Sequence, residues 1–117
     1  MAKPRKRKPT GDCFEANCKM LLGLQAMMPD AVLVHAEVAG QGPLEGVQFG
    51  HAFVQCNGLV FDNTNGGGVI LPADLYRATG KIAEIGNTHT YTMDEVVAKV
   101  VEHGHYGPWD LVTSTGL

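Results

Sequence analysis

The spacing of apolar positions changes period several times along the chain, and each change marks a predicted element. Over residues 10–29, TGDCFEANCKMLLGLQAMMP, the apolar residues Phe14, Cys18, Leu21, Leu22 and Met28 recur at helical intervals, and Pro29 marks the end. Asp12 and Glu15 hold the N-cap and N3 positions of a capping box, which puts Cys13 first in the helix. Residues 31–40, AVLVHAEVAG, are rich in β-branched side chains and predict a strand. The stretch GQGPLEGVQFG that follows carries four glycines and a proline and reads as an irregular exposed loop.

HAFVQC and LVFDNT flank Asn57-Gly58, two residues that tolerate the positive φ of a type I′ turn, so a tight hairpin is predicted. With these two at the turn, Cys56 faces Leu59, Phe53 faces Asp62 and His51 faces Thr64. His51, Phe53, Gln55, Val60, Asp62 and Thr64 then share one face, while Phe61 and Asn63 point to the other. LPADLYRATG predicts a short helix with Pro72 near its start and Gly80 past its end. KIAEIGNTHTYT holds a short strand and a turn. TMDEVVAKVVEHG predicts a helix with a Thr92–Glu95 capping box, a stripe of Val96, Val97, Val100 and Val101, and Gly104 as its stop. The remainder, HYGPWDLVTSTGL, predicts coil around an anchored Trp109. The expected fold is α+β: an N-terminal helix packed on a small, mostly antiparallel sheet, with additional short helices.

Composition bounds this picture. A length of 117 residues suits one domain over 11–117, preceded by a basic disordered tail over 1–10. No apolar run reaches the length needed to cross a bilayer, and the basic N-terminus lacks the apolar stretch of a secretory signal, so no membrane contact and a cytoplasmic location are expected. Three cysteines argue against a disulfide framework. Five of the nine basic residues, Lys3, Arg5, Lys6, Arg7 and Lys8, lie in the tail, which leaves four against twelve acidic residues in the body. The segment Lys3–Lys8 is either a weak contact for nucleic acid or another polyanion, or a solubilising arm that folds back on its own acidic body.

Candidate chemistry centres on Cys13, because a thiol in the first turn of a helix meets unpaired amides and the positive end of the dipole, which favour the thiolate. Those amides also suit an oxyanion. The competing role for Cys13 is that of a small apolar residue, as expected for Cys18 among Phe14, Leu21 and Leu22. His51 sits diagonal to Asp62 across the hairpin, so the two can pair, with Asn63 as the reserve orienting residue should a bulge shift the register. Gln41 and Gln48 precede His51 and are candidate substrate or oxyanion contacts. His103 and His105 form a weak His-x-His signal that could join Cys13 or His51 around a metal. The spacing favours instead a helix-end His103 and a plug of Tyr106, Pro108 and Trp109 against the sheet, with Trp109 as a further candidate substrate contact. His35 and His89 have no partner identifiable from spacing and suit structural or surface roles. NTNGGG, residues 63–68, reads as a flexible turn.

A cysteine opening an N-terminal helix in GDCFEANC, a histidine starting a later strand and an Asp-Asn pair on the next, in GHAFVQCNGLVFDNTNG, resemble the papain-like and transglutaminase-like cysteine hydrolases, and among them the small bacterial or phage-type members. The likeness covers roughly the first 65 residues. It implies a papain-like or transglutaminase-like core, with Cys13 as nucleophile, His51 as base and then acid, and Asp62 as orienting residue. The activity expected is that of a hydrolase, of cysteine protease or amidase type, or an acyltransferase, acting on a peptide, isopeptide or amide bond of a peptide or protein substrate, with no cofactor and no metal. Two rival expectations are a non-catalytic binding module, such as a phage-type inhibitor or adaptor on the same fold, and a small metal-binding protein.

Overall fold

The computed structural model describes residues 12–114, in which the first helical pattern becomes α1, Cys13–Gly23. The helix stops at Gly23, short of Pro29, and residues 24–27 continue as turns. Asp12 occupies the N-cap position without capping: its Oδ1 accepts from the Asn65 amide at 2.6 Å, while Glu15 pairs with Lys19 at 2.7 Å. The expected capping box is therefore absent, because a tertiary partner outcompetes the local one.

The strand predicted over 31–40 is β1, Val32–Ala39, and the hairpin consists of β2, Gln48–Cys56, and β3, Leu59–Asp62. Asn57 and Gly58 turn with φ of 52° and 78°, and Val54 pairs with Phe61 and Cys56 with Leu59, in the predicted register. The loop expected before His51 is shorter than the sequence suggests, since Gln48, Phe49 and Gly50 already pair with Ala39, Val38 and Glu37. The glycines allow a tight 3₁₀ turn at Gly42–Leu44 to close it.

The expected short helix and the later short strand are both present, and two elements without a clear sequence signal, a strand at 69–72 and a single helical turn at 82–85, flank that helix. Strand β4, Val69–Pro72, pairs with β3 at the sheet edge, where a proline is tolerated because one side of the ladder is open. The helix α2, Ala73–Thr79, follows it directly, and a single turn, α3, Ile82–Ile85, precedes β5, Thr88–Tyr91. Last comes α4, Met93–His103, whose Thr92 and Glu95 do form the reciprocal box, with bonds of 3.3 and 2.9 Å, and whose C-cap is Gly104. Its stripe is narrower than predicted: Val96 is buried and Val100 partly so, while Val97 and Val101 face outward.

The five strands form one antiparallel sheet in the order β4-β3-β2-β1-β5, with helices on both faces. One face carries Leu33, Ala52, Val54 and Tyr91 against Cys18 and Leu21 of α1 and Met93 and Val96 of α4. The opposite face carries Val34, Ala36, Val38, Phe53 and Val60 against Ala73 and Ile82 beside α2 and α3. Alternation along β1 and β2 explains this division, since neighbouring residues feed different cores. Each fully buried large side chain, Phe53 and Leu21 among them, contributes about 1.5–3 kcal/mol. No described helix is long and apolar enough to cross a membrane. The basic segment Lys3–Lys8 lies outside the described residues.

Candidate active site

β2 outruns β3. It pairs with β3 only from Val54 to Cys56, while Asp62, at the end of β3, pairs outward with Val69. The site forms where the hairpin opens, as His51 projects from β2 towards the Asp62 carboxylate and the start of α1 fills the gap.

His51 Nε2 lies 2.9 Å from Asp62 Oδ2, and both side chains are nearly closed to solvent, at 12% and 11% exposure. The same Nε2 lies 2.9 Å from the Tyr76 hydroxyl oxygen, and that hydroxyl donates to Asp62 Oδ2 at 2.6 Å. The other oxygen, Oδ1, accepts from Asn17 Nδ2 at 3.1 Å, from the Thr64 amide at 2.9 Å and from the Thr64 hydroxyl. So many donors hold the carboxylate in one orientation and stabilise its charged form.

The second ring nitrogen, Nδ1, is buried with no hydrogen-bond partner of its own. The Cys13 side chain at the start of α1 is close enough to act on His51 electrostatically. Burial opposes a charged imidazole, yet Asp62 and Cys13 together outweigh it and raise His51 to about 9. Burial likewise opposes the Asp62 charge, and His51, Thr64 and Tyr76 override it to hold the carboxyl well below its ordinary range. Tyr76 is pushed far up by burial and by the Asp62 charge, and stays a neutral donor. Of the other thiols, Cys18 is raised to about 11 by burial alone.

Asn17 explains why α1 docks where it does. It lies one helical turn after Cys13 on the same face and is fully buried. Its Nδ2 also donates to the Ala52 carbonyl at 2.8 Å, and its Oδ1 accepts the Asn63 amide at 2.7 Å. One side chain thus ties the thiol-bearing helix to the histidine strand, the Asp62 carboxylate and the segment after β3. The Asp12–Asn65 bond adds a second tie to the same turn.

Of the residues expected from sequence, His51 and Asp62 are in hydrogen-bond contact, and Cys13 acts on His51 electrostatically. Asn63 joins them only through its main chain. Gln41 lines a cavity beside His51, but its Nε2 is spent on the carbonyls of Thr79, at 2.8 Å, and Ala39, at 3.3 Å. Gln48 stands on the opposite sheet face from His51 by strand alternation. Trp109 also belongs to that face: its ring packs 5.0 Å from His35 and 5.2 Å from Tyr91, and its Nε1 donates to the His105 carbonyl. It anchors the C-terminal segment, along with Tyr106. His103 ends α4 beside His105, and among the described residues no three His, Cys, Asp or Glu side chains are grouped to share a metal ion.

No protein-family model, curated protein or solved structure matches the chain. Asn17, Thr64 and Tyr76 are site residues that the sequence did not announce. Asn17 had a usable signal, a polar residue four after Cys13 on the face where Leu21 continues the buried row, whereas nothing in the local pattern of LPADLYRATG singles out Tyr76.

Proposed function

We propose that the chain is a cysteine-dependent hydrolase or acyltransferase acting on a peptide, isopeptide or amide bond, built on a small papain-like or transglutaminase-like plan. The observation that carries this reading is a single buried imidazole with a saturated carboxylate at Nε2 and the helix-start thiol as its other neighbour. Cys13 as thiolate attacks the substrate carbonyl carbon. The amides of the first turn of α1, left uncapped by Asp12, receive the oxyanion. His51, as imidazolium, gives its proton to the departing amine as the carbon–nitrogen bond breaks, leaving a thioester on Cys13. Water or a second amine then loses a proton to His51 while attacking the thioester, and the carbon–sulfur bond breaks to return the Cys13 thiolate beside the imidazolium. Asp62 fixes the ring and stabilises its charge throughout. A peptide or protein substrate, a cytoplasmic setting and a polyanion contact through Lys3–Lys8 belong to the same proposal.

Cys13 is only 1% exposed, which favours as second reading a non-catalytic binding module retaining the arrangement for stability. Alkylation by iodoacetamide between pH 5 and 9, read by mass spectrometry at each cysteine, separates the two. The expected result is that Cys13 reacts at pH 6.5 at least ten-fold faster than Cys56, and that His51→Ala removes that advantage, because the thiolate is the reactive form and the imidazolium is the cation placed to stabilise it. Equal, slow labelling of all three thiols across that range would leave only the binding module.

A further inference from the structure

Beside His51, on the sheet face opposite α1, lies a cavity of about 270 Å³. Val38, Phe49, Leu71, Tyr76 and His51 line it, and among the described residues no lysine, arginine, aspartate or glutamate does. Its one amide side chain, Gln41, has its donor already committed to the Ala39 and Thr79 carbonyls, so it fixes the shape of the rim and leaves that donor closed to a ligand. The same bonds latch the turn after β1 to the end of α2. Gly40 is required there, since a Cβ would collide with the Leu44 carbonyl oxygen.

Resting on the catalytic reading above, we propose that this cavity is a specificity pocket that takes an uncharged apolar group of the substrate next to the reacting carbonyl. The group is an aliphatic or aromatic side chain of leucine to phenylalanine size, or a short acyl chain. Three features converge on it. His51 is shared by the cavity lining and the proposed site, so a substrate group flanking the reacting carbonyl on the His51 side is the one that would enter the pocket. The size fits, since a cavity of roughly 150 Å³ already admits benzene. The walls reject charge, because a lysine or aspartate buried there would lose its hydration without a partner. Tyr76 serves in both places, its hydroxyl on Asp62 and its ring on the pocket wall, so occupation of the pocket bears directly on the group that orients His51.

The test uses the full chain carrying Cys13→Ala, so that binding is read without chemistry, and follows amide resonances while adding N-acetyl-leucinamide, octanamide, N-acetyl-glycinamide or N-acetyl-lysinamide. Expected are shifts confined to the neighbourhood of Gly40, Phe49, Leu71 and Gly80, with the leucine or octanoyl compound binding at least ten-fold tighter than the glycine and lysine compounds. The tighter of the two identifies a peptide side chain or an acyl chain as the natural source. Thr79→Trp, at an exposed lining position whose carbonyl still accepts from Gln41, and Leu71→Trp, on the β4 side of the cavity, should each weaken that binding ten-fold or more while leaving the rest of the spectrum in place. Equal weak binding of all four compounds, shifts located elsewhere, or indifference to both tryptophans would overturn the pocket. The proposed chemistry stands or falls separately, on the selective alkylation of Cys13.

Discussion

At the scale of single residues the two buried histidines of the sheet are opposites. His51 has partners at Nε2; His35, on the other face, has none for either ring nitrogen among the described residues and sits among Phe14, Tyr91 and Trp109. Burial, and secondarily the charge of His89, pull His35 down to about 4 despite the opposing pull of Asp110. Because its folded value lies below the unfolded one of about 6.5, its neutral burial costs nothing above pH 6.5, and stability is lost as pH falls from there towards 4. The raised His51 works in the other direction: its contribution is complete below pH 6.5 and is lost as pH rises through about 9. Asp62, depressed, contributes above the ordinary carboxylate range and loses its share only in stronger acid. Urea unfolding at pH 7 and pH 4.5 should therefore show an acid loss in the native chain that His35→Leu reduces by about 2–3 kcal/mol, the difference expected for a group moving from 6.5 to 4. An unchanged acid loss in the variant would show that His35 is protonated without cost.

At the scale of elements, what could be read from sequence is what local chemistry dictates. The Asn57-Gly58 turn set the hairpin register and with it the placing of His51 and Asp62 on one face, and the Thr92–Glu95 box located α4. The turn's hold is measurable. Gly58 has a φ of 78°, and a Cβ placed on it would have no atom within 4 Å, so Gly58→Ala meets no clash and isolates the left-handed backbone cost. Chemical denaturation at pH 7 should show a loss of about 1–2 kcal/mol, and a loss near zero would mean that the strands alone fix the register. Where tertiary contacts override local preference, the sequence misleads. Asp12 looks like a helix cap and is a clasp for Asn65. VILP is too short and too close to proline to announce a strand, and becomes β4 because the outer side of β3 is free to pair. Val97 and Val101 share the apolar spacing of α4, but only the Met93, Val96 and Val100 edge meets the sheet. The same divide runs through the site: the thiol, imidazole and carboxylate have local signals, whereas Tyr76 arrives from an element whose position depends on β4.

At the scale of the whole molecule, the candidate site is where the two sheet faces meet. α1 packs mainly on one face and α2 on the other, and between them β3 ends and leaves β2 open. Asp62 bridges the layers, with Asn17 of α1 on Oδ1 and Tyr76 of α2 on Oδ2. Each of these bonds is buried or partly so, and removing either donor alone should cost about 1–3 kcal/mol, since a buried carboxylate loses a donor it was desolvated to meet. If the carboxylate is held jointly, its loosening by one loss already weakens the bond at its other oxygen, and the second loss then costs less. A double-mutant cycle of Asn17→Ala and Tyr76→Phe, measured by urea unfolding at pH 7, should therefore fall short of additivity by about 0.5 kcal/mol or more, although the two residues lie in different layers. Thr92→Ala serves as the control: the Thr92 cap on α4 shares no hydrogen-bond partner with Asn17 or Tyr76, so its combination with either should be additive within about 0.3–0.5 kcal/mol. Additivity between Asn17 and Tyr76 as close as the control would mean that Asp62 is held by independent contacts, and that the two layers merely adjoin at the site without acting on it together.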